Sequence, residues 1–135
     1  LTSLDLSHFD TSQVTKMNDM FWNCALLTSL NLANWDTSNV TNMSYMFAWC
    51  ENYSTLDLRH FNTSKVTNMH GMLWNCLSLS TLNLAGWDTS KVTDMMWMFL
   101  NCYSLKSLPK INTGSVTHMT GMFQNCHSLT SLDES

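Results

Sequence analysis

The sequence contains little charge and none of the features that target a protein to nucleic acid or to the membrane interior. Only 12% of its 135 residues are charged, with six lysines and arginines against ten aspartates and glutamates, so the formal net charge is −4. No basic cluster offers the positive surface that nucleic acids and anionic membranes require. No apolar run approaches the ~18 residues of a membrane-spanning helix. We therefore expect neither nucleic-acid binding nor membrane insertion.

The sequence also lacks the residue groupings on which catalysis and metal binding depend. Its five histidines do not gather with a serine, cysteine or aspartate as in a catalytic triad, and surface positions are expected for them. No C-x-x-C or H-x-x-x-H pair is present. The first residues form neither an initiator methionine nor a signal peptide, which indicates a mature fragment or an excerpt of a longer array. We expect no enzymatic activity, no metal site and no cofactor.

The most prominent feature that is present is a repeat. The motif valine-threonine-x-methionine recurs at Val14, Val40, Val66, Val92 and Val116. A cysteine follows each valine by ten residues, so the spacings are 26, 26, 26 and 24 in both series. We expect one repeat domain over 1–135, with copies at about 1–26, 27–52, 53–78, 79–104 and 105–128 and a partial sixth at 129–135. Such units bury their apolar sides only against their neighbours.

Each copy changes its hydrophobic period along its length. Alternating leucines such as Leu30 and Leu32 predict a short strand with one buried face. The polar stretch 36–41 favours a turn. Apolar residues at i, i+3, i+4 and i+7 from Met43 to Cys50 predict a helix of about two turns. Strands that recur in one direction with a helical crossover pair in parallel, so the predicted fold is an α/β solenoid. In this right-handed coil, five strand-turn-short-helix repeats share a continuous parallel sheet.

The full repeat, L-x-L-x-x-[FW]-[DN]-T-S-x-V-T-x-M-x-x-M-F-x-x-C, resembles that of the BspA-type leucine-rich-repeat surface proteins of bacteria and some protists. The resemblance covers essentially the whole chain. It implies an extracellular or cell-surface scaffold, without enzymatic activity, that takes part in adhesion to or recognition of proteins or glycans on a host, in the matrix or on a neighbouring cell. Because the family is defined by its scaffold, the resemblance transfers no catalytic or ligand residue.

The fifth copy departs from the pattern of the other four. Eight positions separate Leu108 from Val116, whereas ten separate Leu82 from Val92, and Pro109 follows the strand leucine. Proline lacks the backbone donor that a central strand needs. We expect a distorted strand here, either as harmless drift or as an irregularity that shapes a contact surface.

Two groups of residues are candidates for an interaction surface. Between the two alternating leucines of the strand, copies one and three carry aspartate and copies two and four carry asparagine, which separates like charges along stacked strands. With their small neighbours these residues predict an exposed polar strip of Ser29, Asn31, Thr55, Asp57, Thr81 and Asn83. Trp22 and Trp74 share one position in copies one and three and form the second group, because exposed tryptophan is enriched at interfaces. Either group can be a binding surface or an ordinary solvated face.

The cysteines and asparagines suggest further properties. Five cysteines leave at least one thiol unpaired. Their predicted places at the ends of helices, which pack about 8–10 Å apart, favour buried free thiols over a disulfide ladder. The regular methionine column predicts core packing instead of soft-metal binding. Sequons make Asn39, Asn42, Asn52 and Asn62 candidate glycosylation sites if a eukaryote secretes the protein.

The two ends of the chain support an alternative function. Residues 1–5 return as residues 129–133, and no polar capping repeat is evident at either end. The chain can therefore be a structural subunit that stacks head to tail, as a homopolymer, into an extracellular filament. The candidate end-to-end interface comprises Leu1, Leu4, Leu6, Val116, Met119, Phe123, Leu129 and Leu132.

Overall fold

The computed structural model describes residues 1–132, which form short strands joined by turns. Residues 133–135, part of the predicted sixth copy, lie outside the described residues. In each three-residue strand the central leucine is the least exposed residue, as the alternating pattern predicts. The strands recur once per repeat as β1 (Ser3–Asp5), β2 (Ser29–Asn31), β3 (Thr55–Asp57), β4 (Thr81–Asn83), β5 (Ser107–Leu108) and β6 (Ser131–Leu132).

The strands pair in parallel between consecutive repeats, which confirms the predicted direction of pairing. Leu4 lies opposite Leu30, and Leu56 lies opposite Leu82. The strand pairs are β1–β2, β3–β4 and β5–β6, so the described residues contain three two-stranded sheets. The prediction of one continuous sheet is therefore wrong. Strands of three residues offer few ladder hydrogen bonds, and the links between the pairs are made elsewhere in the repeat.

A second ladder of hydrogen bonds joins all five repeats. Parallel bridges connect Lys16, Asn42, Asn68, Asp94 and His118 in succession. Beyond the bridge, alternate backbone N–H groups of one repeat donate to carbonyl oxygens of the next repeat. In the second repeat these bonds run from Met43 to Asn68, from Tyr45 to His70, from Phe47 to Met72 and from Trp49 to Trp74, at 2.7–3.0 Å. Each repeat thus supplies hydrogen-bond partners for backbone groups of its neighbour.

The predicted short helix is wrong, since residues 1–132 contain no helix, and hence none that is long and apolar enough to cross a membrane. The segment from Met43 to Cys50 is instead a run of overlapping turns, in which Met46 donates to Met43 and Cys50 donates to Phe47. Its backbone is left-handed at two positions, with φ of 56° at Tyr45 and 63° at Trp49. A right-handed helix does not allow these values.

The two left-handed positions recur in every repeat. Each is five or nine residues after the valine of the motif: Asp19, Tyr45, Gly71, Trp97 and Gly121 at the first, and Asn23, Trp49, Asn75, Asn101 and Asn125 at the second. Asparagine tolerates the left-handed region better than most residues. The asparagine that precedes the cysteine in four of the five copies was therefore the sequence signal against a helix.

One hydrophobic core extends through all five repeats. The spacing that suggested a helix does identify inward-facing residues, because the turns also direct these side chains to the interior. Met43, Met46 and Phe47 have no exposed surface. Met20 and Met119, on the first and last repeats, are exceptions and are 42% and 43% exposed.

The five cysteines are free thiols, as predicted, but only three of them are buried, whereas Cys24 and Cys126 are half-buried. The buried thiols of Cys50, Cys76 and Cys102 each donate, at 3.2 Å, to a carbonyl oxygen of the preceding repeat. Burial raises the pKa of the Cys50 thiol to about 12, so it remains protonated at neutral pH. Since residues 1–132 contain no helix, helix spacing does not explain why these thiols remain unpaired. Each of these thiols packs as a small buried group bonded to backbone.

The fifth strand is shortened, as the proline predicts. β5 spans two residues where β1 to β4 span three. It pairs with β6, and Ser107 lies opposite Ser131. Pro109 follows directly and has no N–H to continue the ladder.

A column of buried threonines fastens each repeat to the next within the turn. Thr37 and Thr63 are 1% and 2% exposed. The Thr63 hydroxyl donates to the Asp88 carbonyl at 3.0 Å and accepts the Asp88 N–H at 2.9 Å. Thr11 and Thr37 make the same two bonds to the repeat that follows each. One hydroxyl therefore satisfies two backbone groups of a neighbouring repeat.

We expect Thr63→Val to lower the free energy of unfolding by about 2–3 kcal/mol, because it leaves the Asp88 N–H and carbonyl without their partner. The matched control is Thr67→Val, whose hydroxyl is exposed and makes one longer bond, of 3.3 Å, to Thr41. The control should cost less than about 0.5 kcal/mol. Urea denaturation of the two variants measures both values, and equal losses would contradict the role assigned to the buried column.

Candidate interaction surface

The residues of the predicted polar strip lie on strands β2, β3 and β4. The serine or threonine that begins each strand is exposed, and Asn83 is half-buried at the end of β4. Asp57 lies opposite Asn83, and Asp5 lies opposite Asn31. The register therefore sets a carboxylate beside an amide within each of these two strand pairs.

The acidic and amide side chains of the strip are already engaged in local hydrogen bonds. Asp57 accepts the Arg59 N–H at 3.1 Å and pairs with its guanidinium at 2.7 Å. Hydrogen bonds from Arg59 lower the pKa of the Asp57 carboxyl. Asn31 and Asn83 accept the backbone N–H two residues further on. These side chains act as turn formers at the strand ends, which leaves the hydroxyls of the strip as its freest polar groups.

The four candidate glycosylation sites also make internal hydrogen bonds. Asn39 and Asn52 donate their amide groups to backbone carbonyls of the preceding repeat. Asn42 and Asn62 accept the backbone N–H two residues further on. A glycan on Asn39 or Asn52 would disturb a contact between repeats. Asn62, which is exposed, is the more accessible member of the second pair.

The predicted end-to-end residues lie on the outermost repeats and differ in exposure. Leu1 is 80% exposed and Met119 is 43% exposed. Leu132 belongs to β6, opposite Leu108. The half-buried members are Leu4, Leu6, Val116, Phe123 and Leu129. A shallow cavity of about 420 Å³ on the first repeat is lined by Leu1, Leu4, Asn23, Cys24, Ala25, Leu26 and Leu27.

Aromatic side chains from four consecutive repeats meet on one surface, which we term the aromatic face. It consists of Trp22, Tyr45, Trp49, His70, Trp74 and Trp97. Trp22 stacks on Tyr45 with ring centroids 5.8 Å apart. Tyr45 also contacts His70 at 5.0 Å and Trp74 at 6.3 Å. Trp74 in turn contacts Trp97 at 5.7 Å. The rings form an unbroken series of contacts.

The aromatic face includes both predicted tryptophans. Trp22 is 50% exposed, whereas Trp74 is half-buried, and Tyr45 joins them by contacting both rings. His70, expected at the surface, lies between Tyr45 and Trp97, and its side chain is 16% exposed. The structure therefore places Trp22 and Trp74 in a larger cluster.

Tyr45 and Trp97 were missed because their contacts join non-equivalent positions of the repeat. Trp22 and Tyr45 are 23 residues apart, as are Trp74 and Trp97, and the second pair follows the first by 52 residues. Comparing only equivalent positions does not reveal such a diagonal contact. An aromatic pair that returns at the spacing of two repeats is the signal that could have found it.

Glycines provide the room for two of these rings. A Cβ atom on Gly71 would lie 2.5 Å from Cε1 of Tyr45, and one on Gly121 would lie 2.9 Å from Cδ1 of Trp97. Gly71 occupies in the third repeat the position that Tyr45 occupies in the second. Gly121 occupies in the fifth repeat the position that Trp97 occupies in the fourth. The alternation of aromatic and glycine residues therefore lets a large ring lie against the following repeat.

Negative charge borders the aromatic face. The Asp94 carboxylate lies 3.3 Å from Nδ1 of His70, and Asp19 precedes Trp22 on the same repeat. Burial raises the pKa of Tyr45, and the charges of Asp19 and Asp94 raise it further. Both carboxylates therefore act on the central ring. Nε2 of His70 is buried and has no hydrogen-bond partner among the described residues.

The aromatic face combines large rings with carboxylates, a composition suited to binding through contact area and charge. Within residues 1–132, no three histidine, cysteine, aspartate or glutamate side chains are grouped so that they could hold a metal ion.

We expect Gly71→Ala to destabilise the protein by about 1–3 kcal/mol more than Gly86→Ala does, because only the first substitution forces a ring to move. Gly86 is a matched control, since both glycines have positive φ, of 58° and 82°, and no atom lies near a Cβ at Gly86. Urea denaturation measures the difference, and the Tyr45 ring signals in NMR spectra report its displacement. Equal losses with unchanged Tyr45 signals would contradict the assigned packing.

Comparison with solved structures identifies a protein of similar fold. The crystal structure of a leucine-rich cell surface protein from Faecalibacterium prausnitzii A2-165 matches with a TM-score of 0.66 and 21% sequence identity. The match covers 98% of this chain and 32% of that chain, so this chain spans about a third of its length. The likeness shows that this chain shares its fold with part of that protein. No curated protein matches the chain.

A protein-family model also matches the sequence. The family is described as "Mycoplasma protein of unknown function, DUF285", and it matches residues 1–107 and 77–134. The two matches overlap and together cover nearly the whole chain. This chain therefore belongs to the DUF285 family.

Proposed function

We propose that this chain is part of a surface repeat scaffold that recognises a protein or glycan ligand through its aromatic face. The observation that supports the proposal is the contact series of rings across four consecutive repeats, with Trp22 half exposed at its edge. Tryptophan and tyrosine provide much contact area for few rotatable bonds. They are also enriched among the residues that dominate binding energy at interfaces.

Backbone strain at the same surface favours a binding role over ordinary packing. Tyr45, Trp49 and Trp97 hold φ of 56°, 63° and 57° at positions where other repeats carry glycine, asparagine or aspartate. A bulky side chain in the left-handed region costs about 1–2 kcal/mol per residue. Asparagine at these three positions would lower that cost. Retention of rings in a strained backbone is typical of functional sites.

The scaffold that we propose is a right-handed solenoid of the BspA type. The ladder of bridges from Lys16 to His118 and the apolar core shared by the repeats support this arrangement. A solenoid would hold the rings at fixed spacings along its length. An extracellular or cell-surface location belongs to the same proposal, and the solved protein of similar fold is itself described as a cell surface protein.

The double variant Trp22→Ala/Trp74→Ala should weaken binding to immobilised matrix proteins or glycans by about tenfold or more, because truncation of two large aromatic contacts costs at least about 1.4 kcal/mol. Surface plasmon resonance across a panel of such ligands measures the change. The matched control is Tyr103→Ala, which removes a ring that is 40% exposed and stacks on His127, outside the aromatic face.

Two outcomes would contradict the proposal. In the first, the tryptophan variant binds every ligand of the panel as the parent protein does. In the second, binding is lost in Thr55→Glu/Thr81→Glu, on the polar strip, and retained in the tryptophan variant. That result would move the ligand to the strand surface. Circular dichroism and the midpoint of thermal unfolding establish that each variant is folded.

The alternative function, head-to-tail assembly into a filament, is supported by the apolar groups exposed on the outermost repeats, above all Leu1 and Leu26, which are 80% and 68% exposed. If these surfaces associate, sedimentation velocity should show species that grow with protein concentration. Leu1→Glu/Met119→Glu should shift the distribution to monomer, because it would bury charge in an apolar contact. The control is Thr81→Glu, on the polar strip. A monomer at all concentrations would refute assembly.

A further inference from the structure

We propose that the aromatic face binds a basic segment of a partner protein, whose arginine or lysine side chains lie over the rings and close to the carboxylates of Asp19 and Asp94. The inference rests on the function proposed above and specifies its ligand. It follows from the combination, on one surface, of electron-rich ring faces and two partly exposed carboxylates.

The rings supply the first part of the recognition. A guanidinium or ammonium group within about 6 Å of a tryptophan or tyrosine ring is attracted by the negative face of that ring. Arginine in addition stacks flat on aromatic rings, because its guanidinium group is planar and weakly hydrated. Trp22, with half of its surface exposed, and the neighbouring ring of Tyr45 offer such a platform.

The carboxylates supply the second part. Asp19 is exposed, and the side chain of Asp94 retains 23% of its accessible surface. They lie on the first and fourth repeats and both act on the ring of Tyr45, which lies between them in the chain. The protein carries a formal net charge of −4. A basic ligand is therefore attracted over a distance and is complementary to the face that it reaches.

The hydrogen bonds already made by these carboxylates disfavour a neutral glycan. Asp94 accepts the backbone N–H of Met96 through Oδ1, and its Oδ2 lies beside His70. Asp19 accepts the side-chain amide of Asn18. A sugar hydroxyl would have to compete with these internal donors for the oxygen atoms. A cation gains from the charge of the carboxylate without displacing them.

The test compares two double variants that remove the same charge. Asp19→Asn/Asp94→Asn neutralises the border of the aromatic face, and Asp10→Asn/Asp36→Asn neutralises two exposed turn residues. Both pairs should fold, because asparagine occupies equivalent positions in other repeats. Asn42 and Asn68 share the position of Asp94, Asn62 and Asn112 share that of Asp10 and Asp36, and the left-handed backbone of Asp19 tolerates asparagine.

The probe is a fluorescein-labelled hexa-arginine peptide, and its binding is measured by fluorescence anisotropy at physiological ionic strength. A hexacitrulline peptide of the same shape, without charge, is the control ligand. We expect Asp19→Asn/Asp94→Asn to raise the Kd for hexa-arginine about fivefold to tenfold, from two weakened ion pairs. Asp10→Asn/Asp36→Asn should change it less than about twofold. Trp22→Ala/Trp74→Ala should also weaken binding, and hexacitrulline should bind more weakly than hexa-arginine.

Several results would overturn the inference. Equal losses in the two aspartate variants would show attraction to net charge alone. Equal binding of the two peptides, or no binding of hexa-arginine up to about 1 mM, would show that the face does not recognise a cation. Binding of a β-1,4-linked glucose hexasaccharide that depends on Trp22 and Trp74, without binding of hexa-arginine, would assign the face to glycans. The proposed function would then stand while the basic ligand is rejected. Failure of the proposed function has a different signature: in the ligand panel, Trp22→Ala/Trp74→Ala would bind every ligand as the parent protein does.

Discussion

Backbone hydrogen bonding from each repeat to the next is the interaction on which the rest of the structure depends. Alternate N–H groups after the bridge residue donate to the following repeat, as Tyr45 does to His70 at 2.8 Å. A helix would direct the same groups to carbonyls of its own turn. Left-handed residues at two positions per repeat instead direct these N–H groups to carbonyl oxygens of the following repeat. The buried threonine column, with Thr63 bonded twice to Asp88, adds side-chain bonds to the same junction. Neighbouring repeats are thereby held in a constant register.

This constant register also creates the aromatic face. Because each repeat is held at the same offset from the next, Trp22 meets Tyr45 and Trp74 meets Trp97 through one diagonal relation that returns after 52 residues. The ring of Tyr45 fits because Gly71 has no Cβ. The stacking that stabilises the protein thus also sets the spacing of rings and carboxylates with which a basic ligand would interact. Scaffold and aromatic face are products of the same repeat.

The sequence supported correct and incorrect predictions for identifiable reasons. The parallel strands were predicted correctly, because alternating leucines that recur once per copy restrict the possibilities. The free cysteines were also predicted correctly, although the helices on which that prediction relied are absent from residues 1–132. The helix was wrong, because apolar residues at i, i+3, i+4 and i+7 are compatible with any backbone that returns to the same side at those steps. A run of turns does so between Met43 and Cys50. The asparagine before the cysteine was the local sign of left-handed backbone, and it outweighs the apolar period.

For this protein, the repeat length can be read from the spacing of the motif between copies. The strand positions, the inward-facing residues and the distortion at Pro109 can be read from residue type and spacing within one copy. Membership of the aromatic face could not be read in this way. It depends on which atoms of different copies come within contact distance, as Tyr45 does with Trp22, His70 and Trp74. The division of the strands into separate pairs likewise depends on contacts between copies and could not be predicted from one copy. Contacts between copies are determined by the offset of the hydrogen-bond ladder, which no single copy contains.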